Sequence, residues 1–129
     1  MMATVPEGFA PLTLPGEFVS INGPLYVCER GGKVQLGFRV ERRHTNPMGI
    51  CHGGMTASFC DMLLPIGALR QRPEIGPRFL PTVNLQIDYL APAPLDSWPR
   101  TQRRASDRYA CRTKNTNPSS IPCAGLQRS

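Results

Sequence analysis

The sequence predicts an α+β domain in which an antiparallel β-sheet wraps around one long helix. Three observations predict this fold: an alternating segment before residue 42, a segment with helical spacing after Gly53, and a second alternating segment after residue 81. Strands on either side of a single apolar helix are typical of one sheet packed on that helix. We therefore divide the 129 residues into an irregular N-terminal lead-in, residues 1–16, a domain, residues 17–98, and a basic C-terminal tail, residues 99–129.

The first half of the chain contains three strand candidates. Short apolar runs at Phe18–Ile21 and Leu25–Glu29 flank an Asn-Gly-Pro turn. The third candidate has apolar side chains at every second position, which is the period of a half-buried strand. Its alternating apolar residues are Val34, Leu36, Phe38 and Val40. Two glycines at 31 and 32 separate the second and third candidates, so we expect a hairpin there.

From Gly53 the spacing becomes helical, because apolar residues recur every three or four positions over about sixteen residues. Pro65 lies within this segment and is expected to kink the last turn, since it removes one backbone hydrogen bond. The apolar positions are Met55, Phe59, Met62, Leu63, Ile66 and Leu69.

The second alternating segment predicts a long strand after the helix, and the tail predicts none. The run Thr82–Leu90 alternates apolar and polar residues and ends at the sequence Ala-Pro-Ala-Pro. Beyond Trp98 we find neither alternation nor a helical face, and the abrupt change in composition suggests an altered C-terminus. A sheet of this kind needs two more strands, and we expect them to be missing or altered.

Composition and charge exclude several classes of function. Residues 1–99 hold eight basic and eight acidic side chains, so the net charge of +6 comes entirely from residues 100–129. A solvated tail explains that charge better than a nucleic-acid surface. Five cysteines without CxxC or CxxH spacing favour free thiols in a reducing compartment over a metal site or a disulfide framework. We expect a cytoplasmic protein with no signal peptide, membrane span or metal.

The candidate catalytic residues lie between the third strand candidate and the helix, and within the helix itself. The chain crosses a polar loop that contains Asn46, then reaches His52, Gly53 and Gly54, and carries an acid at Asp61 within an otherwise apolar helix. The first N–H groups of a helix lack intrahelical partners and lie at the positive end of its dipole, so they suit an anion or a developing oxyanion. Taken singly, each residue also has a structural explanation, as a turn former, a packing glycine or a surface acid.

Together these residues resemble the motif of the hotdog-fold acyl-CoA thioesterases, PaaI-like group. The resemblance rests on Asn46-x-x-Gly49-x-x-His52-Gly53-Gly54 with Asp61 nine residues after His52, and it extends over roughly residues 18–98. In that family a curved antiparallel sheet wraps a central helix, and paired subunits share an active site at their interface.

The resemblance implies a role for each matching position. Asp61 would activate the hydrolytic water or attack the thioester carbonyl itself, and the N–H of Gly53 would stabilise the oxyanion. Asn46 would hold the carbonyl or the water, and Thr82 would orient the water. His52 and Gly54 would shape the substrate loop, and Phe59 and Met62 would line the acyl pocket. It implies an acyl-CoA substrate, a homodimer or homotetramer, and no metal or bound cofactor.

Other functions remain open at this point. A hotdog hydratase or dehydratase would act on the same thioesters, and a catalytically degenerate relative would bind them without turnover. A thiol nucleophile at Cys51 or Cys60 is a further alternative, and the basic tail leaves nucleic-acid binding as another. We find no GxSxG sequence that would indicate a serine nucleophile.

Overall fold

A computed structural model describes residues 4–104 and 112–116. Within these residues, five strands and two helices form an α+β fold, as the sequence predicts. In chain order they are β1 (Ala10–Leu12), α1 (Glu17–Asn22), β2 (Leu25–Arg30), β3 (Lys33–Gly37), α2 (Gly53–Gln71), β4 (Trp98–Arg104) and β5 (Arg112–Thr116). Short 3-10 turns cover Arg42–His44 and Pro73–Ile75.

The strands form one antiparallel sheet in the order β1-β2-β3-β4-β5. The predicted hairpin joins β2 to β3, with Arg30 opposite Lys33 and a two-residue turn between them. Both turn residues have positive φ, +58° at Gly31 and +71° at Gly32. Such a turn matches the twist of a hairpin and favours glycine at both positions.

One face of the sheet packs on α2 and forms the main core. The alternation predicted in the third strand candidate is confirmed, because its four apolar residues are at most 2% exposed. Pairing with the chain before β4 continues beyond β3, since the N–H of Val40 donates to Ser97 O at 3.0 Å. The helix contributes Met55, Phe59 and Leu63 to this core, at the spacing predicted for its apolar face.

The opposite face of the sheet carries a smaller aromatic cluster around Trp98. Its indole is 2% exposed and lies 5.5 Å from the ring of Phe9 and 5.2 Å from that of Tyr26. Gly37 on the neighbouring strand makes room for this ring, because a Cβ there would lie 2.5 Å from the indole nitrogen. Each sheet face thus has its own buried cluster.

Two strand predictions are wrong. Residues 18–21 form most of helix α1, which Gly16 precedes as N-cap, and Phe18 and Ile21 are 59% and 65% exposed. The segment Thr82–Leu90 forms no strand, and Val83 is 98% exposed. A strand needs hydrogen-bonding neighbours, and none of the described strands pairs with this segment.

The expectation that the chain beyond Trp98 lacks strands is also wrong. β4 runs from Trp98 to Arg104 and pairs with β3, and β5 pairs with β4 in turn. The composition of this segment does not favour a strand, but hydrogen bonding to the buried strand β3 stabilises one. Strand formation depends on neighbours more than on intrinsic propensity. Most of the predicted tail, residues 105–111 and 117–129, lies outside the described residues.

The long helix α2 extends three residues beyond the predicted sixteen and continues through Pro65. No helix in the described part of the chain is long and apolar enough to cross a membrane. Of the cysteines, Cys51 and Cys60 are buried and form no disulfide, whereas Cys28 is disulfide-bonded, so the prediction of free thiols fails for Cys28. The predicted cytoplasmic location stays a prediction.

Candidate active site

A tight loop between Thr45 and Cys51 leads the chain into α2. These two residues face each other across the loop in an isolated antiparallel bridge. On its other side the loop is tied to the segment before β4, since Ile50 bridges to Pro94 and the N–H of Cys51 donates to Ala93 O at 2.7 Å. The entry to the helix is therefore held by backbone hydrogen bonds from two directions.

Asn46 closes this loop with its side chain. Its Oδ1 accepts the N–H of Met48 at 3.0 Å and that of Ile50 at 3.4 Å. Its backbone oxygen accepts from Gly49, whose φ of +74° completes the turn. Because the loop occupies Oδ1, the Nδ2 group is the part of the amide that can donate to a bound carbonyl oxygen.

The helix begins at the glycine pair, as predicted, with His52 as its N-cap. The imidazole Nδ1 of His52 accepts the N–H of Gly54 at 2.8 Å. The N–H of Gly53 has no acceptor among the described residues, and it lies at the positive end of the helix dipole. Of the two glycines, Gly53 therefore presents the free donor.

Asp61 lies on the exposed side of α2. It follows the fully buried Phe59 by two residues, which corresponds to about 200° around the helix and places it opposite the core. Asp61 lies eight positions after Gly53, and at about 1.5 Å per position this is roughly 12 Å along the axis. A single chain therefore cannot bring this carboxylate to the N–H of its own Gly53.

A cavity of about 320 Å³ opens beside the helix start. Met55 is buried beneath it, and the other walls are largely polar. They include side chains of the 3-10 turn, the loop, the N-cap and the first turns of α2, namely Arg43, Thr45, His52 and Ser58. This volume is at the lower end of that typical for small-molecule sites.

His44 is a supporting residue that the sequence does not reveal. It is 3% exposed, its Nδ1 accepts the N–H of Glu41 at 3.1 Å, and its Nε2 therefore donates to Asn22 O at 2.8 Å. Its ring packs edge-on against Phe38, and its backbone oxygen accepts the N–H of His52. A histidine in a polar loop gives no sequence signal for such burial.

The alternative of a thiol nucleophile at Cys51 loses support. Burial raises the pKa of the Cys51 thiol, although a side-chain hydrogen bond with Thr56 acts in the other direction. The neutral thiol is therefore favoured, whereas nucleophilic attack requires the thiolate.

Three predicted substrate-contacting residues lie apart from the helix start. Phe59 is fully buried in the core, and its ring lies 4.7 Å from that of Phe38. This burial argues against a substrate contact. Met62 is half-buried and packs against the same core. Thr82 is exposed in the segment that forms no strand. Their predicted roles stay predictions, as do those of Asp61, Gly53 and Asn46.

An antiparallel sheet packed on one helix, with a polar loop and a glycine pair at the helix start, defines the hotdog class. Solved structures of this class are similar to the chain. Thioesterase superfamily member 2 of zebrafish superposes with a TM-score of 0.55 at 25% identity, over 74% of this chain and 71% of that one. The phenylacetic acid degradation protein PaaI of Thermus thermophilus superposes with a TM-score of 0.53 at 20% identity, over 67% and 70%.

Sequence comparisons give the same class. The thioesterase superfamily profile matches residues 48–102. A Pseudomonas aeruginosa protein named as an esterase is 30% identical over 99 residues, which cover 75% of this chain and 72% of the relative. Human acyl-coenzyme A thioesterase 13 is 30% identical over 74% of this chain and 66% of its own length. The chain belongs to the thioesterase superfamily and has the hotdog fold.

Proposed function

We propose that the protein hydrolyses acyl-CoA thioesters to a free acid and CoA. One observation carries the proposal: the N–H of Gly53, at the start of α2 and inside a motif that ends at Asp61, has no acceptor in the described part of the chain. Family membership supports thioester hydrolysis in general. The relatives named acyl-coenzyme A thioesterase 13 support an acyl-CoA substrate, and so does a similar Streptococcus pneumoniae structure that contains coenzyme A.

In the proposed reaction, water adds to the thioester carbonyl carbon while Asp61 accepts its proton. The carbonyl oxygen becomes an oxyanion that the N–H of Gly53 and the Nδ2 group of Asn46 stabilise by hydrogen bonds. The C–S bond then breaks, and the departing CoA thiolate takes the proton from Asp61. Direct attack by the Asp61 carboxylate is the alternative route, through a mixed anhydride that water hydrolyses. Thr82 is the proposed residue that orients the water.

We further propose that each active site is shared between two chains of a homo-oligomer. The separation of roughly 12 Å along α2 prevents Asp61 from acting with the Gly53 of its own chain. The exposed face of α2 around Asp61 also carries small residues, among them Gly54 and Ser58, which would let a second helix approach closely. An antiparallel pair of helices would bring each Asp61 to the other chain's helix start.

The first test is hydrolysis of a panel of short-chain, medium-chain and aryl acyl-CoAs, measured as release of the CoA thiol. Replacement of Asp61→Asn keeps the size of the side chain and removes its basicity, so we expect kcat/KM to fall by at least about a hundredfold. Asp61→Ala is the second variant. Undiminished turnover in both would refute the role of Asp61, and binding without turnover by the unmodified protein would indicate a degenerate relative.

Gly53→Pro offers a sharper test of the oxyanion donor. Proline is favoured at the first position of a helix, and His52 has φ −61° and ψ 135°, the extended geometry that the residue before a proline adopts. The substitution therefore removes the N–H with little disturbance of α2. We expect kcat to fall about 10²- to 10³-fold, as for other oxyanion-hole donors.

Gly53→Ala is the matched control, because it keeps the N–H. Its Cβ would meet the ring of Tyr89 at 3.4 to 3.5 Å, which is ordinary van der Waals contact. We expect this variant to keep most of the activity. Equal loss of activity in the alanine and proline variants would mean that the shape of this position matters and that its N–H does not.

A further inference from the structure

Tyr89 contacts the first turn of α2 from a segment that has no regular secondary structure. Its hydroxyl donates to the carbonyl oxygen of Gly53 at 2.8 Å. Its ring atoms lie 3.4 to 3.5 Å from the position that a Cβ of Gly53 would occupy. The side chain is 58% exposed, so burial alone does not explain its placement.

The peptide bond between Gly53 and Gly54 is thus held at both ends by side chains. Its carbonyl accepts from Tyr89, and its N–H donates to Nδ1 of His52 at 2.8 Å. Two adjacent glycines give this turn more backbone freedom than any other pair of residues would. Hydrogen bonds at the two ends of one peptide group also polarise each other, which strengthens both.

We propose that Tyr89 is a positioning residue for the oxyanion donor. The inference rests on the proposed function, because the donor in question is the N–H of Gly53. That N–H belongs to the peptide group immediately before the clamped one, and the two groups share the Cα of Gly53. When Tyr89 and His52 fix the second group, the rotation that remains to the first is limited, and the N–H stays directed out of the helix start toward the thioester oxygen.

The test compares Tyr89→Phe with the unmodified 129-residue chain. Phenylalanine keeps the ring over Gly53 and removes only the hydroxyl. Loss of one hydrogen bond corresponds to a factor of about five to ten in a rate or equilibrium constant. We therefore expect kcat to fall by about this factor. KM should stay within about twofold, because the donor acts mainly in the transition state. Tyr26→Phe is the matched control, since Tyr26 packs on Trp98 on the other sheet face. It should leave kcat unchanged.

A second measurement does not depend on activity. The exchange of the Gly54 amide proton with water, resolved by NMR in the unliganded protein, should be several-fold faster in Tyr89→Phe than in Tyr26→Phe. A loss of kcat together with faster exchange supports the proposal. Unchanged exchange of Gly54 overturns it, and so does faster exchange with unchanged kcat.

These outcomes separate the inference from the proposed function. If the unmodified protein hydrolyses no acyl-CoA, the proposed function is refuted. The positioning role of Tyr89 is then refuted as well, even if amide exchange shows that Tyr89 holds the helix start. If Asp61→Asn abolishes hydrolysis and Tyr89→Phe does not reduce it, the function stands and only the role of Tyr89 is refuted.

Discussion

Gly37→Ala should destabilise the fold by overpacking the sheet face that carries Trp98. The added Cβ would lie 2.5, 2.7 and 2.8 Å from Nε1, Cε2 and Cζ2 of the indole, so the ring must move by roughly 0.6 to 0.9 Å to reach ordinary contact. Phe9 and Tyr26 border the ring and leave it little space. Overpacking of this kind costs about 1–3 kcal/mol. Alanine itself suits a strand at least as well as glycine, so the clash is the main effect.

Urea unfolding measures this cost. With a slope of about 1–3 kcal/mol per molar urea, a loss of about 2 kcal/mol lowers the midpoint by roughly 1 M. Trp98→Phe is the partner substitution of a double-mutant cycle, because it replaces the indole by a smaller benzene ring and removes the buried N–H, which has no acceptor among the residues that the structure describes. In the Trp98→Phe variant, Gly37→Ala should lower the free energy of unfolding by less than about 0.5 kcal/mol. An equal cost in both backgrounds would refute the placement of Trp98 on Gly37, and with it the pairing of β3 with β4.

Two further predictions concern the surroundings of the helix start. His44→Ala leaves the N–H of Glu41 and the carbonyl of Asn22 without their partners and opens a void beside Phe38, so unfolding should require about 2–4 kcal/mol less. His52→Ala is the control, because this exposed cap residue should contribute only about 0.5–2 kcal/mol to the free energy of unfolding. A larger loss of stability in His52→Ala than in His44→Ala would contradict the supporting role of His44. Burial raises the pKa of the Cys51 thiol, so its thiolate forms only at higher pH than in an unfolded chain. Alkylation of Cys51 by iodoacetamide, followed by mass spectrometry at pH 8, should therefore be slower in the folded protein than in urea, and equal rates would contradict this.

The parts of the fold that the sequence predicts are those with local causes. The β2–β3 hairpin depends on two glycines in its turn, and α2 depends on its apolar spacing and on the cap at His52. Each is encoded within a few consecutive residues. The motif from Asn46 to Asp61 is local in the same sense, so its residues can be named from the sequence.

The failures have non-local causes. The alternation at Thr82–Leu90 is real, but a strand also needs a neighbour, and no described strand pairs with it. β4 shows the reverse, because an Arg-rich stretch becomes a strand by pairing with β3, some 65 residues earlier in the chain. The buried histidine at 44 depends on Asn22 and Phe38 from different elements. Such partners cannot be assigned from one sequence.

The shared site itself is tested most directly by mixing two inactive chains. Asp61→Asn and Gly53→Pro should each reduce hydrolysis about a hundredfold or more on their own, one through the carboxylate and the other through the amide donor. If the two groups of a site come from different chains, co-refolding equal amounts gives heterodimers in which one of the two sites has neither lesion. We then expect about a quarter of the unmodified activity, since half the dimers are mixed and half their sites are intact. A mixture as inactive as its components would contradict a site made from Asp61 of one chain and Gly53 of another.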